Sequence, residues 1–343
     1  MTLNFAIGIV KTNVINVIKR RKRNMKKICM IGNGVHARQN IIPSIRELNI
    51  NIDAIASEYL DNQKEFDGIK CYSNYKEMLE KEQPNIVFVC KTAENQYRIA
   101  KDCLNFGIEK LFVEKPMGMN SIEAKELQEL ADSKNCQVMV GFMKKFSPCY
   151  LKMKEIMNSS EFGKVKQFNA EFYITSDRTG WNNEIFLKKG GIHFVNLLIW
   201  LFGEVEEVKS FSSSVDNNVS LTSIIKFKNG IVGNINFVGL TSWKGKREQI
   251  TITGENGYVY NDGVREVHYH LDQNITRGNR WQTIDEEEIT IKPYLTSASG
   301  GVQDLYLHGY IGEIKSFMED DIFDKDNVVT MKLIDLILNG IDE

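Results

Sequence analysis

The feature that most limits how this chain can fold is a short apolar strand running straight into a glycine turn and a helix. It reads KKICMIGNGVHARQNIIPSIREL, residues 26–48. Residues 27–31 read as the strand, and the apolar spacing beyond the turn predicts a helix through Leu48. Between them Gly32-Asn33-Gly34-Val35-His36-Ala37 spells G-x-G-x-x-A. Gly32 permits the tight turn, Gly34 lets an anion approach the backbone because it has no Cβ, and Ala37 lets the helix pack close to the strand. The helix start offers unpaired N–H groups and the positive end of its dipole. Gly32, Asn33, Gly34, Val35 and His36 are therefore candidates for holding a dinucleotide pyrophosphate. His36 also reads as a partly exposed surface histidine.

Further strands follow at the spacing of βαβ units: Ile52–Ala56, Ile86–Cys90, Lys110–Val113 and Gln137–Phe142. Helical patterns separate them, around Gln63–Phe66 and over Tyr75–Lys81, Gln96–Phe106 and Ser121–Ser133. This alternation predicts a parallel, doubly wound sheet. The second strand ends in Ser57-Glu58. An acidic side chain there can hold the adenosine ribose, and Glu58 would repel a 2′-phosphate, so NAD is preferred over NADP. Ser57 could accommodate that phosphate, but the reading wants a neighbouring arginine.

A length of 343 residues suggests about two domains at roughly 150 residues each. Net charge is −2, so no global field points to nucleic acid. The six cysteines show no CxxC spacing and all lie before residue 150, which fits reduced thiols in a cytoplasmic protein and neither a disulfide framework nor a zinc site. No apolar run reaches the roughly 18 residues of a membrane span. Residues 1–24 form a basic extension without an acidic residue. It reads as disordered or loosely docked, with a membrane-surface helix as the alternative, and Met25 is a candidate start. Residues 25–145 then form the dinucleotide-binding unit and 146–343 a substrate and oligomerisation unit.

Downstream, Ile224–Phe237 reads as two alternating strands about Asn229-Gly230, and Ile250–Gly263 as strand, turn and strand. Leu305–Met318 and Asn327–Leu338 have helical spacing. His268 and His270 share one face of a strand, but no third ligand accompanies them and no metal is expected. Asp285-Glu286-Glu287-Glu288 reads as a solvated loop or edge strand.

After the Lys110–Val113 strand comes Glu114-Lys115-Pro116, and later VGFMKKFSP, Val140–Pro148. Together with GNGVHA these segments resemble the Gfo/Idh/MocA oxidoreductase family over residues 26–343. The resemblance implies an N-terminal Rossmann domain with a doubly wound parallel sheet, followed by a C-terminal α/β domain with an open, mostly antiparallel sheet. It implies an NAD(P)-dependent oxidoreductase that transfers a hydride to or from a sugar or nucleotide-sugar CH–OH group, commonly as a homodimer or homotetramer. TAENQY, Thr92–Tyr97, resembles the family's TPxxxH loop beside the nicotinamide, which makes Thr92, Asn95 and Tyr97 cofactor candidates. Lys144 and Lys145 stand where the family has arginines near cofactor and substrate.

The stretch KKGGIHFVN resembles the family's D-x-G-x-H-x-x-D signature at Gly191 and His193, with Lys189 and Asn196 in place of both aspartates. The match implies that His193 is a catalytic or substrate-orienting histidine. Those two replacements motivate a second reading, a catalytically inactive dinucleotide-binding regulatory or scaffold protein of the same fold. Helical spacing would project Lys189, His193, Asn196 and Trp200 together if the helix begins near Lys189. Oxidising a secondary alcohol needs a base for its proton, and neutral His193 or a desolvated Lys189 could supply it. Asn196 and Lys145 are substrate candidates beside them. Lys115, between an acid and a proline at a strand's C-terminal end, lies where open α/β sheets bind ligands, and could polarise the reacting C–O bond. Glu114 would tether that ammonium or pack near the cofactor.

Overall fold

The computed structural model describes residues 26–58, 68–176, 181–272, 287–293, 300–319 and 325–341. The extension at 1–24 and the helix expected around Gln63–Phe66 lie outside them. The first sheet has six strands, all parallel: β1 (Ile28–Ile31), β2 (Ala54–Ala56), β3 (Lys70–Tyr72), β4 (Ile86–Val89), β5 (Lys110–Val113) and β6 (Gln137–Val140). Their order is β3-β2-β1-β4-β5-β6. Strand β3 was not expected from sequence, because its three residues carry one lysine and no run of apolar side chains. The order reverses at β1, between β2 and β4, which opens a crevice at the carboxyl ends of these strands. The glycine turn follows β1 and lines that crevice.

The second sheet has eight strands: β7 (Val165–Thr175), β8 (Val205–Ser212), β9 (Val219–Phe227), β10 (Val232–Leu240), β11 (Arg247–Gly254), β12 (Gly257–Asp262), β13 (Glu266–Leu271) and β14 (Ile289–Ile291). The order is β14-β13-β12-β11-β7-β10-β9-β8. Every neighbouring pair is antiparallel except β7 with β10. Its strands alternate buried and open positions, so one face is apolar and one faces solvent. Glu287 and Glu288 lead into the edge strand β14, as the sequence suggested.

One apolar core runs from the first sheet through helix Pro148–Met157 to the buried face of the second. The helix spanning Asn183–Phe202 lies on that face and is mostly buried. At 20 residues it is long and apolar enough to reach across a membrane, which the sequence reading did not anticipate, but its burial marks it as a core helix. The chain then returns to the first sheet. Phe317, on helix Tyr310–Glu319, packs edge-on against Phe88 of β4 and Phe112 of β5 at 5.0 and 5.5 Å. Such aromatic pairs contribute about 0.5–1.5 kcal/mol each beyond their buried area. The single helix expected over Leu305–Met318 is two, Gly300–His308 and Tyr310–Glu319. Gly309 breaks it with φ of +95°, and a Cβ there would stand 2.1 Å from the Met143 carbonyl oxygen.

Candidate functional site

The glycine turn is built as its residues require. Gly32 has φ of +99°, and a Cβ on it would meet the Cys90 carbonyl oxygen at 2.1 Å, so the turn closes against the end of β4. A Cβ on Gly34 would meet nothing within 4 Å. That side is open, and Val35 beside it is exposed. Ala37 is buried under the helix, residues 35–47, whose Ala37–Ile41 turn is a π-helix. Buried Ser57 donates to the Asn33 side chain, which pins the turn to the end of β2. Glu58 is exposed and pairs with Lys91, after β4, at 3.5 Å. Acid and amine thus flank the crevice on either side of the glycines. An open backbone cradle at a helix start, with an exposed carboxylate one strand away, fits a dinucleotide.

The loop after β5 lies next to this turn. Glu114 is buried and accepts from the His36 ring: Nε2 stands 3.0 Å from Oε1. Asn40 Nδ2 stands 3.1 Å from His36 Nδ1, so an amide donor at Nδ1 leaves the ring proton on Nε2, toward Glu114. The Lys115–Pro116 peptide is cis, and Gln96 donates to the Pro116 carbonyl at 3.2 Å. The Lys115 ammonium donates to the Lys189 backbone carbonyl at 2.7 Å. That bond joins the first unit to the helix carrying His193, one turn before the histidine. Burial holds the Lys115 amine below its ordinary value, against the opposing pull of Glu114.

His193 faces the edge of Phe142, with ring centroids 6.4 Å apart. Its Nδ1 is buried with no hydrogen-bond partner. Burial first, then the charges of Lys115, Lys144, His36 and Lys246, push the imidazole well below 6.5, so the ring is neutral. The Lys115 charge acts on the His193 ring, so the two groups lie near each other although they are 78 positions apart in sequence.

Other expected residues are placed differently. The helix begins at Asn183 and not near Lys189, and the lysine stands within a π-turn, Leu187–Gly191. Its side chain is half-exposed and lies 3.6 Å from Glu94, leaving its carbonyl to hold Lys115. Asn196 is buried and donates to Asp326 at 2.9 Å and Thr330 at 3.1 Å, both on helix Asp326–Asn339. Lys145 donates to the same Asp326 carboxylate at 2.7 Å. Lys144 points away from the crevice into the second sheet, where both Glu248 oxygens accept from it at 2.7 Å. Tyr97 turns to Glu126 on helix Ser121–Ser133. Thr92 begins helix Ala93–Phe106 and accepts from Asn95 at 3.0 Å, which braces the loop after β4.

The sequence reading missed Glu248, Lys246 and Glu313. Glu248 lies on β11 among Ile250 and Ile252 at inward positions, so a carboxylate inside a period-two apolar pattern was its signal. It accepts from Lys144, from Tyr150 at 2.9 Å and from Lys246 at 2.5 Å. The two lysines hold its acid down at about 2 against burial, while burial lowers Lys144 to about 8. Glu313 sits with Ile314 and Phe317 on an apolar helix face. Both its oxygens are buried without partners, and burial next to Glu114 raises its acid well above 4.5. His268 and His270 bond to Thr290 and Asp272, and no group of three or more metal-ligating side chains occurs among the described residues.

Residues 26–142 match the model of an oxidoreductase family with an NAD-binding Rossmann fold, and residues 150–260 match the GFO/IDH/MocA C-terminal domain. The chain is 28% identical over 205 residues to Oxidoreductase P35 of Formosa agariphila, covering 54% of this chain and 62% of that protein, less than two thirds of its length. It is 25% identical over 249 residues to the myo-inositol 2-dehydrogenase of Thermotoga maritima, covering 67% and 72%. Among solved structures, a dehydrogenase from Chromobacterium violaceum aligns with a TM-score of 0.79 at 20% identity, covering 92% and 95%. A levoglucosan dehydrogenase in complex with NADH aligns with a TM-score of 0.75 at 14% identity, covering 92% and 96%. The structural likenesses speak for the fold.

Proposed function

This chain belongs to the Gfo/Idh/MocA oxidoreductase family, and from that premise we propose that it is an NAD-dependent dehydrogenase or reductase of a sugar or nucleotide-sugar CH–OH group. What carries the reading is the meeting of Lys115 and His193 beside the glycine turn, joined through the Lys189 carbonyl. Gly32, Gly34 and the start of the 35–47 helix would hold the pyrophosphate, and Glu58 the adenosine ribose, which favours NAD over NADP. A bound nicotinamide supplies the hydride acceptor or donor.

The chain's own groups handle the oxygen and its proton. The Lys115 ammonium donates a hydrogen bond to the reacting oxygen and lowers the cost of charge developing there. Neutral His193 takes the hydroxyl proton during oxidation and returns it during reduction. Lys189 acts through its backbone, by orienting the ammonium. Lys145 and Asn196 converge on Asp326 and so hold the His193 helix against the 143–146 turn. A homodimer or homotetramer belongs to the same proposal, with the open face of the second sheet as the surface left for it.

The test is titration of the purified protein with NADH and with NADPH, followed by oxidation assays on a panel of sugars and inositols. Binding of NADH, with turnover lost by Lys115→Met and by His193→Asn while NADH affinity stays within a few fold, is the expected result. Turnover that persists in both variants would refute the assigned roles.

A further inference from the structure

Glu114 is a buried carboxylate just past the end of β5, and its oxygens are held from different sides. Oε1 takes the proton of His36 Nε2 at 3.0 Å. Oε2 accepts the backbone N–H of Lys115 at 3.2 Å. The group lies against Gly141, where a Cβ would stand 3.0 Å from Oε1, so the end of β6 blocks movement that way. The His36 ring is fixed in turn. Asn40 Nδ2 stands 3.1 Å from its Nδ1, and Tyr310 meets it edge-on at 5.7 Å between centroids. A side chain 43% exposed in a helix's first turn would ordinarily sample several rotamers, and these contacts select one. A continuous path of hydrogen bonds then leaves the glycine turn. It runs from His36 to Glu114, from Glu114 to the Lys115 backbone, and from the Lys115 ammonium to the Lys189 carbonyl at 2.7 Å.

Without the imidazole the buried carboxylate would keep a single N–H and need another donor. The ammonium of the very next residue already feels its charge. It would be drawn off the Lys189 carbonyl into an ion pair. We propose that His36 is a positioning residue for the reaction: it occupies Glu114, so that the Lys115 ammonium stays on the Lys189 carbonyl and open to substrate. The inference rests on the oxidoreductase reading and adds a residue to it. His36 belongs to the helix whose start would take the pyrophosphate, so the cofactor turn and the lysine are mechanically linked. It acts on the protein side of that turn, because both its ring nitrogens already have protein partners. Tyr310 and Glu313, on the helix behind the ring, are both raised by burial first and then by Glu114, which disfavours a second anion beside it.

The experiment reads the Lys115 amine directly. Native protein, His36→Leu and His36→Gln are labelled with trace acetic anhydride over about pH 7 to 10 without cofactor, and acetylation of Lys115 is measured by peptide mass spectrometry. NADH affinity is measured by fluorescence titration. Removing the donor should move the amine's titration toward 10.5 and slow its labelling at pH 8 by about three- to tenfold. His36→Gln keeps an N–H near the place of Nε2 and should label within about twofold of the native protein. NADH should bind all three within a few fold. Unchanged labelling in His36→Leu, or equal slowing in both variants, overturns the inference. So does a large loss of NADH affinity with labelling unchanged, which would make His36 a cofactor ligand. Failure of NADH to bind the native protein sinks the oxidoreductase reading itself, and is told apart because the labelling uses no cofactor.

Discussion

Replacing Glu248 with leucine would strand the Lys144 ammonium in the core. In the native chain that amine has two carboxylate hydrogen bonds and the rings of Tyr150, Phe172 and Phe194 around it, at 5.5–6.0 Å. Only the carboxylate balances its charge. Without it the cheaper course is to shed the proton. Neutralising an amine of ordinary value 10.5 at pH 7 costs about 5 kcal/mol, which sets a ceiling. Breaking a buried pair from one side costs about 3–5 kcal/mol, in agreement. That is a fall in Tm of about 6–20 °C on the scale of a unit of about 150–250 residues. Lys144→Met should cost less, within about 2 kcal/mol, because Glu248 keeps Lys246 at 2.5 Å and Tyr150 at 2.9 Å. The pH dependence separates this cause from lost packing. In Glu248→Leu the folded amine titrates below 7 while the unfolded one stays near 10.5, so the unfolded state binds the extra proton and stability rises with pH, by about 1.4 kcal/mol per unit. In the native protein the folded value is about 8, so both states are protonated at pH 7 and the curve is flat there. The deficit of Glu248→Leu should therefore shrink between pH 7 and 8. Urea unfolding of both variants across that range is the assay. Equal losses for the two variants, with no change in the deficit between those pH values, would refute the buried-ammonium argument.

Gly34→Ala should leave stability within about 0.5 kcal/mol, since its Cβ meets no protein atom, yet weaken NADH binding by on the order of tenfold, read by fluorescence titration. Gly32→Ala should instead destabilise the fold by several kcal/mol, because left-handed backbone and a 2.1 Å contact with a carbonyl oxygen act together, and thermal unfolding will show it. The pH profile of kcat/KM for oxidation should lack an acid limb near 6.5, because His193 stays neutral well below that value. Its alkaline limb should fall below 10.5, where Lys115 loses the proton it donates; an acid limb at 6.5 would contradict the burial of the ring. Glu58→Ala should shift the ratio of NADH to NADPH affinity toward NADPH by about tenfold or more, measured by paired titrations.

Much of the first unit was written in short-range sterics. A glycine needed at positive φ, a small residue where helix meets strand, and apolar runs of strand length are local requirements, and each surfaced at its position in the chain. The Glu114-Lys115-Pro116 turn and His193 stood out chiefly by resemblance to family motifs and not by local sterics. The π-turn at Leu187–Gly191, which no spacing rule reveals beforehand, and the pairing of the Lys189 side chain with Glu94 were not legible in the sequence. The break at Gly309 was overlooked because its cause is contact with Met143, far away in sequence.

Ion partners are the clearest division. The chain by itself indicated a parallel sheet with a glycine turn at its switch point, a lysine just beyond the end of a strand and a histidine within an apolar helix. Which carboxylate each cation would meet was decided only in three dimensions: Lys144 finds Glu248 across 104 positions and Lys145 finds Asp326 across 181. The sign and range of a charge are readable from a letter. Its partner, its burial and hence its protonation depend on distances and dielectric that exist only once the two sheets have packed around the cleft.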